Sequence, residues 1–460
     1  MLGTGIEKFD EEFGGFPRGS LILVEGTPGT GKTSMCMAFL KAGVESGEGV
    51  VYASFVEGKR DLASYARRFG IDLLDLEHRG LVKVEEVPTM RGGGEVLLKM
   101  LLDRVDELRA SRLILDSFTA MRYLFTEEAE VRAFLHNVFL KALKSQGVTT
   151  MITLEVLGKE RLPVIEEYVA DVMISLRQAY TDEGAFTREL RVKKFRGTYL
   201  KHTKYCFTLY GGFKLFTWAR EVLDEPLIHE EVEEKLADKV STGVKGLDEL
   251  LGGGLELGTS TLIVYDDWLP ANPLYAVTPA IFQSVIKGRK TLLMPTLGAK
   301  RLRQILLTSL SEDQLKRSVK ALLPTKEEVR ESWVAPLKLR LEEDYELMVS
   351  QYLELKRGAV GPTLMVFDLS SLNRFYGREM APRLDELLRL AKDGGDVALN
   401  LAPRSCHLLD EFLAMHDVVL RLYERNGALF LRGIKPPTES FNFDIYREDN
   451  VRKVRLVPMV

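Results

Sequence analysis

The sequence has few of the cysteines and histidines that a disulfide-linked or zinc-binding protein needs. Three of its 460 residues are cysteines, and Cys36, Cys206 and Cys406 lie far apart, outside any Cys-x-x-Cys or Cys/His ligand spacing. A disulfide framework or a structural zinc site is therefore not expected, and this cysteine usage is typical of a reducing compartment. The six histidines are scattered and do not form a zinc or iron site by their spacing.

Long apolar runs and a secretion signal are also missing. No stretch approaches the roughly 18 consecutive apolar residues that span a bilayer, and the opening MLGTGIEKFDEEFGG lacks the pattern of a leader peptide. We therefore expect a cytoplasmic protein without a membrane partner. The net charge of −4 gives no reason to expect non-specific binding to nucleic acid or lipid.

Glutamine is scarce, whereas Lys and Arg together number 63 and Asp and Glu number 67, a bias typical of thermophilic proteins. The whole chain has the composition of a soluble globular protein, with 45% hydrophobic and 28% charged residues. A chain of 460 residues is too long for one ordinary core. Two or three domains are expected.

An internal repeat divides the chain. TGIEKFDEEFGG begins at Thr4 and TGVKGLDELLGG at Thr242, and each is followed by a short β-rich apolar run. Near the end of each half, Arg196, Phe207 and Tyr210 match Arg432, Phe443 and Tyr446 at one constant offset. The repeat predicts two similar domains, over residues 1–224 and 241–460, joined by a charged linker at 225–240.

Each half alternates short apolar strands with amphipathic helices. In the first half SLILVEG, GVVYASF, RLILDS, VTTMITLE and DVMISL are predicted strands, separated by helices such as TSMCMAFLKAGVESG. This alternation predicts an α/β fold with a mostly parallel sheet covered by helices on both faces. In the second half, residues 331–358 are predicted as one amphipathic helix whose Trp333 packs in the core.

One motif carries specific chemistry. Residues 26–33 match the phosphate-loop pattern GxxxxGK[ST], after an apolar strand and before a helix. Backbone N–H groups of such a loop hold phosphate oxygens, Lys32 reaches the β- and γ-phosphates of ATP, and the Thr33 hydroxyl is a Mg²⁺ ligand. The predicted nucleotide-binding residues are Gly26, Thr27, Pro28, Gly29, Thr30, Gly31, Lys32, Thr33 and Ser34.

Carboxylates at strand ends complete the predicted site. Asp116 ends the strand RLILDS and is the expected partner of Thr33 at Mg²⁺. Hydrolysis also needs a carboxylate that orients or deprotonates water. Glu57, after the strand VVYASF, is the candidate for this role, with a surface turn as the alternative, and Glu155 is a weaker candidate.

With these residues in place, the chain resembles the KaiC-type ATPases of the RecA superfamily, in their archaeal-type form with two domains in tandem. The resemblance rests on GIEKFDEEFGGFPRGSLILVEGTPGTGKTS, YASFVEGKRDL, LILDSFTA, TTMITLE and ELRVKKFRGTYLKHTKYCFTLYGG. It implies two RecA-like P-loop NTPase domains, with ATP and Mg²⁺ bound between neighbouring copies of a homo-oligomeric ring, six in the family. It also implies that Lys194 and Arg196 reach the neighbour's nucleotide and assist catalysis. From the residues alone, they belong to a solvated basic hairpin.

The chain departs from the family pattern in two places. Where the family has adjacent glutamates, the chain has Val56 followed by Glu57, which predicts slow hydrolysis. In the second half the lead-in ends in YDDWLPANP instead of a phosphate loop, so Asp266 and Asp267 would repel phosphate. Asp368 resembles the metal-binding acid there, without a partner lysine. A degenerate second domain without tight ATP binding is predicted.

The leading functional hypothesis is a regulatory or signalling ATPase whose assembly, or whose binding of an unidentified protein partner, follows the nucleotide. A RadA-like accessory of DNA recombination or repair is an alternative, with residues 90–96 and 157–163 as the DNA loops. Nucleic acid is not favoured, because neither loop interleaves aromatic and basic residues. A scaffold that binds ATP without hydrolysing it is the third hypothesis.

Overall fold

The computed structural model describes residues 1–87, 94–125, 127–136, 142–156, 169–181, 184–216, 231–269, 273–324, 331–448 and 451–460. The chain divides into two compact units. Unit 1 comprises residues 1–216 with 459–460, and unit 2 comprises residues 217–458. Both are α/β, and each contains a large, mostly parallel sheet flanked by helices, which confirms the predicted fold class.

The described part of unit 1 has one nine-stranded sheet. Its strands are β1 (Leu21–Gly26), β2 (Val50–Ser54), β3 (Val82–Glu86), β4 (Arg112–Asp116), β5 (Thr149–Glu155), β6 (Val172–Tyr180), β7 (Phe186–Phe195), β8 (Lys204–Thr208) and β9 (Lys214–Leu215). Its helices are α1 (Glu7–Phe13), α2 (Lys32–Glu45), α3 (Lys59–Arg67), α4 (Leu73–His78), α5 (Gly94–Leu108), α6 (Phe118–Met121) and α7 (Glu128–Leu135), with a 3₁₀ turn at Arg122–Leu124. The sheet order is β3-β2-β4-β5-β1-β6-β7-β8-β9, parallel as far as β6 and antiparallel beyond it.

The described part of unit 2 has a ten-stranded sheet and a small two-stranded one. Its strands are β10 (Lys239–Val240), β11 (Leu255–Glu256), β12 (Ser260–Tyr265), β13 (Thr291–Met294), β14 (Val319–Pro324), β15 (Val334–Leu337), β16 (Leu364–Phe367), β17 (Val397–Pro403), β18 (Val418–Arg425), β19 (Ala428–Lys435), β20 (Pro437–Glu448) and β21 (Val451–Pro458). Its helices are α8 (Lys245–Leu250), α9 (Thr278–Ile286), α10 (Ala299–Leu306), α11 (Glu312–Ser318), α12 (Leu341–Arg357), α13 (Leu369–Tyr376), α14 (Met380–Asp393) and α15 (Leu409–Met415), with 3₁₀ turns at Pro273–Ala276 and Gly377–Glu379.

The two large sheets have the same topology. In unit 2 the order is β15-β14-β13-β16-β17-β12-β18-β19-β20-β21. When β12 is matched with β1 and the later strands are matched in chain order, β15 alone has no counterpart in unit 1. The two strand orders are then the same, except that β15 adds one strand at an edge of the unit 2 sheet. The sequence repeat therefore corresponds to a repeated topology.

The apolar strands are buried on both faces, as expected for a parallel sheet covered by helices. All six residues of β1 are buried. In unit 2, Ile263 of β12 belongs to one hydrophobic cluster, whereas its neighbours Leu262 and Val264 belong to another. Alternate side chains of one strand thus contribute to two cores, one on each face of the sheet.

The parallel arrangement also positions the candidate site. β1, β2, β4 and β5 run in the same direction and end at Gly26, Ser54, Asp116 and Glu155. Because the carboxyl ends of parallel strands meet at one edge of the sheet, the phosphate loop and the acidic residues come together there.

One local prediction differs from the structure. The single helix predicted over 331–358 is a strand followed by a helix, β15 and α12, and Trp333 is fully buried just before β15. The break lies at residues 338–340, where the N–H groups of Lys338 and Arg340 donate to the carboxylate of Asp344. The predicted linker, 225–240, ends in β10, and its residues 225–230 lie outside the described residues. Among the described residues, no helix is both long and apolar enough to cross a membrane.

A buried histidine links stability of unit 2 to pH. His416 is 1% exposed, and its Nδ1 lies 2.6 Å from the carbonyl oxygen of Phe412. Its Nε2 lies 3.0 Å from the Nδ2 of Asn400, whose Oδ1 accepts from the N–H of Phe367. These partners are satisfied by a neutral ring that carries its proton on Nδ1. Burial lowers the pKa of His416 to about 4.

We expect this histidine to make the protein less stable as the pH falls from about 6.5 to 4. The unfolded chain takes up the proton near pH 6.5 and the folded chain only near pH 4, so the loss is complete below pH 4 and amounts to roughly 3 kcal/mol. Urea unfolding of unit 2 at pH 7 and pH 4.5 measures it. In His416→Gln the free energy of unfolding should fall less between pH 7 and pH 4.5 than it does in the wild type. An equal fall in both proteins would contradict the prediction.

Candidate active site

The predicted phosphate loop connects β1 to α2 in unit 1. Gly26 ends the strand and Lys32 begins the helix. Gly29 and Gly31 have φ angles of 76° and 102°, in the left-handed region that glycine adopts without strain. A Cβ on Gly26 would lie 2.5 Å from the Oγ1 of Thr30, so that position has no room for a side chain. The glycines thus allow the chain to wrap tightly before the helix N-terminus, where backbone N–H groups bind anions.

Lys32 lies folded over this loop. Its Nζ donates to the carbonyl oxygens of Gly26 and Thr27, both at 3.0 Å, and the residue is 7% exposed. Burial lowers the pKa of Lys32, while Glu155 and Asp116 oppose this effect. An ammonium group binds a charged phosphate more strongly than it binds two neutral carbonyl oxygens. The Lys32 side chain can therefore exchange these partners for a phosphate group.

Asp116 is surrounded by hydroxyl groups. Its Oδ2 accepts from Thr33 Oγ1 at 2.8 Å and from Tyr52 OH at 2.8 Å, while its Oδ1 accepts from Thr153 Oγ1 at 2.5 Å. A carboxylate next to a hydroxyl on the first turn of the phosphate-loop helix is the donor set that Mg²⁺ takes in P-loop proteins. Thr33 and Asp116 therefore fit a Mg²⁺ ion.

Glu57 lies in the loop between β2 and α3. Ser54 holds this loop, because its Oγ donates to the carbonyl oxygen of Glu57 at 2.6 Å and accepts from the Glu57 N–H at 3.2 Å. Burial raises the pKa of the Glu57 carboxyl, and the nearby Asp116 and Asp61 raise it further. A carboxylate with a raised pKa is a stronger base, which suits it to accept a proton from water.

One cavity of about 290 Å³ contains these groups. Its lining residues are Pro28, Gly29, Gly31, Lys32, Thr33, Ser34, Ser54, Val56, Glu57, Tyr65, Asp116, Ser117, Glu155 and Leu209. The structure therefore brings together the phosphate loop, the two predicted Mg²⁺ ligands, Glu57 and the weaker candidate Glu155. Val56 also lines the cavity and is 72% exposed.

Lys194 and Arg196 are not among the residues that line this cavity. Lys194 lies in β7, and Arg196 follows the strand. The Nη1 of Arg196 lies 3.3 Å from Asp171 Oδ1, and its side chain is 54% exposed. Within one chain, these two cations therefore lie outside the cavity that contains the phosphate loop.

Several site residues were missed from the sequence. Arg188 Nη1 and Gln178 Nε2 donate to the carbonyl oxygen of Gly29, at 2.9 and 3.2 Å, and hold the phosphate loop from β6 and β7. Tyr65 of α3 shares a hydrogen bond of 2.5 Å with Ser34. Gln178 and Arg188 lie opposite each other on β6 and β7. Their position could be predicted only from the register of this hairpin, which the sequence does not give.

The equivalent loop of unit 2 has a different chemistry. Asp266 follows β12 and accepts a hydrogen bond of 2.9 Å from Arg421, and Asp267 accepts one from Ser405. Asp368 is 2% exposed and accepts from the N–H of Ser370 at 3.0 Å, so it caps the start of α13. The three acids thus have protein partners at the place where unit 1 has its phosphate loop and metal ligands.

Comparison with known proteins agrees with this geometry. The family model described as "ATPase: KaiC" matches residues 2–213. The circadian clock oscillator protein KaiC of Thermostichus vulcanus is 32% identical over 268 residues, which cover 55% of this chain and 49% of that protein. The protein of the same name from Synechococcus elongatus is 33% identical over 269 residues, covering 55% and 50%. The circadian clock protein KaiC3 of Synechocystis sp. is 32% identical over 267 residues, covering 55% and 51%.

The chain spans about half the length of the curated relatives it matches. The family match covers almost all of unit 1 and contains the phosphate loop, Glu57 and Asp116. The resemblance predicted from the sequence is confirmed: the chain is KaiC-like, and its residues 2–213, just under half of its length, match the KaiC ATPase family.

Proposed function

We propose that unit 1 binds ATP with Mg²⁺ and hydrolyses it slowly at contacts between copies of the chain, so that a regulatory or signalling assembly follows the nucleotide. The observation that carries this proposal is the shared cavity that contains Lys32, the Thr33–Asp116 pair and Glu57. A cation, a metal-binding oxygen pair and a basic carboxylate in one cavity are the groups that phosphoryl transfer to water requires.

The chemistry follows from these side chains. When a triphosphate enters, Lys32 exchanges its two carbonyl partners for oxygens of the β- and γ-phosphates, and the loop N–H groups bind the remaining oxygens. Thr33 and Asp116 would hold Mg²⁺, which would neutralise charge on the phosphate oxygens. Glu57 accepts a proton from the attacking water. The oxygen of that water bonds to the γ-phosphorus, and the bond to the bridging oxygen breaks to release ADP.

Two features favour a slow reaction completed by a neighbouring copy. Val56 stands where the family has the first of two glutamates, so Glu57 is the one acid of that pair. Lys194 and Arg196 do not line the cavity of their own chain, which agrees with a role at the nucleotide of the next copy. Cations placed there would stabilise the charge that develops in the transition state. The number of copies, six, is taken from the family resemblance.

The two other hypotheses receive no specific support. The loop 157–163 proposed for DNA binding lies outside the described residues, and so do residues 90–93 of the other loop. A scaffold without hydrolysis differs from the proposal in a single measurable property, its turnover.

Mass and turnover together test the proposal. Native mass measurement should show a homo-oligomer that gains copies or becomes more stable when Mg·ATP is added, because the nucleotide lies at the contact between copies. Phosphate release by the same sample should be slow but above the rate of a sample without protein. A monomer at all nucleotide concentrations would contradict the assembly, and an oligomer without phosphate release would favour the scaffold.

A further inference from the structure

Tyr52 occupies an unusual place beside the predicted metal ligands. It lies in β2, adjacent to β4, which ends in Asp116, and it is completely buried. Its hydroxyl lies 2.8 Å from Asp116 Oδ2, the same oxygen that accepts from Thr33 at 2.8 Å. Among the residues that the structure describes, this carboxylate is the hydrogen-bond partner of the Tyr52 hydroxyl. A buried hydroxyl needs a partner, and here that partner is a group of the site itself.

The hydroxyl acts as a donor. The contact runs from the Tyr52 hydroxyl to Asp116 Oδ2, and a carboxylate has no proton to donate. This fixes the direction of the interaction and leaves Asp116 as the acceptor.

The two other hydroxyls on Asp116 have different positions. Thr33 is itself a predicted metal ligand, so its bond to Oδ2 weakens or is replaced when an ion binds. Thr153 holds the opposite oxygen, Oδ1, from β5. Tyr52 would therefore supply the contact that still restrains Oδ2 when Thr33 holds the ion. Hydrogen bonds of this kind orient a metal-binding carboxylate, and their loss typically lowers metal affinity by about 10- to 100-fold.

We propose that Tyr52 is a positioning residue for the divalent cation: its hydroxyl fixes the carboxylate of Asp116 next to Thr33 and so sets the affinity of the site for the metal. This inference rests on the proposed nucleotide function, because the metal binds there together with a nucleotide. It adds a residue that neither the phosphate-loop motif nor the strand-end acids point to.

Tyr52→Phe tests the inference because it removes the hydroxyl and keeps the ring. Mn²⁺ bound in the presence of ADP, measured by electron paramagnetic resonance, should bind about tenfold more weakly to the variant. The affinity for fluorescent ADP in EDTA should stay within about twofold, because the phosphate loop is intact. Neither measurement depends on turnover.

Tyr205→Phe is the matched control. Tyr205 is also a buried tyrosine of unit 1, 4% exposed, and its hydroxyl also contacts a carboxylate, Glu12, at 3.2 Å. Glu12 does not line the cavity, whereas Asp116, the partner of Tyr52, does. This variant should bind Mn²⁺ like the wild type. If the Tyr52 variant is less stable, the rise in melting temperature between ADP alone and ADP with Mn²⁺ gives the same comparison on each protein.

The outcomes separate the inference from the proposed function. Wild-type protein that binds neither ADP nor Mn²⁺ with ADP would overturn the proposed function. Wild-type protein that binds both, with a Tyr52→Phe affinity for Mn²⁺ within twofold of its own, would overturn the inference alone. An equal loss in the Tyr205 variant would also overturn it, because the effect would then be a general one of removing a buried hydroxyl.

Discussion

Lys32→Ala is expected to lower the rate of phosphate release by a factor on the order of 10³. Lys32 is the one Lys or Arg among the described residues that line the cavity, and its Nζ lies 3.0 Å from two loop carbonyl oxygens. In the proposed reaction it would balance the negative charge that builds up between the β- and γ-phosphates. Alanine leaves this charge without a partner in a partly buried cavity, where such an interaction is strong. Steady-state phosphate release at saturating Mg·ATP measures the effect.

Lys41→Ala is the control for this prediction. Lys41 belongs to the same helix, α2, but its side chain is 48% exposed and contacts Glu45 at 3.7 Å. Its removal should leave turnover unchanged. Turnover in the Lys32 variant equal to that of wild type would mean that the activity of the preparation does not arise at this loop.

Glu57→Gln should lower turnover by about 100-fold and leave nucleotide affinity nearly unchanged. The amide keeps the size of the side chain but cannot accept the proton of the attacking water, and general bases typically contribute factors of 10² to 10⁴. Because burial and the nearby acids raise the pKa of Glu57, the wild-type rate should increase with pH through that raised value, as the carboxylate form accumulates. The variant should lose this rise. Single-turnover rates across pH 4.5–8, beside fluorescent nucleotide binding, measure both properties.

Two further substitutions make this prediction specific. Glu155→Gln alters the other candidate carboxylate of the cavity and should reduce turnover much less than the change at Glu57. Val56→Glu places a second carboxylate at an exposed lining position and should raise turnover if the missing glutamate is what makes the reaction slow. A larger loss at Glu155 than at Glu57 would reassign the base.

Much of this site follows from the sequence because its residues are close together along the chain or lie at strand ends. Residues 26–34 form one continuous loop, so their chemistry is visible in the motif. Asp116 was found because apolar parallel strands that end in acids bring them to one edge of the sheet. The prediction of the fold succeeded for the same reason, since buried parallel strands are continuous apolar runs.

The other features depend on the register of paired strands and on side-chain rotamers, which the sequence does not show. Tyr52 is an ordinary core residue of a strand until the pairing of β2 with β4 places its hydroxyl on Asp116. Arg188 is one of many basic residues in its hairpin until it contacts Gly29. The segment 331–358 has the amphipathic pattern of a helix throughout, but the turn made by Asp344 with the N–H groups of residues 338 and 340 separates a strand from it.

In unit 2, the sequence predicts that Asp266 and Asp267 repel phosphate. In the structure both carboxylates accept hydrogen bonds from other side chains of the protein. Asp266 pairs with Arg421, and Asp368 caps a helix at 2% exposure. An incoming phosphate would have to break these contacts and approach two carboxylates without a lysine to compensate. The absence of tight ATP binding in unit 2 remains a prediction.

The number of nucleotides bound per chain tests the central claim, that unit 1 alone uses ATP. Calorimetric titration of the full chain with a slowly hydrolysed ATP analogue and Mg²⁺ should give one site per chain, and Lys32→Ala should remove or greatly weaken that site. Two sites per chain, or one site that the Lys32 substitution leaves unchanged, would contradict the account.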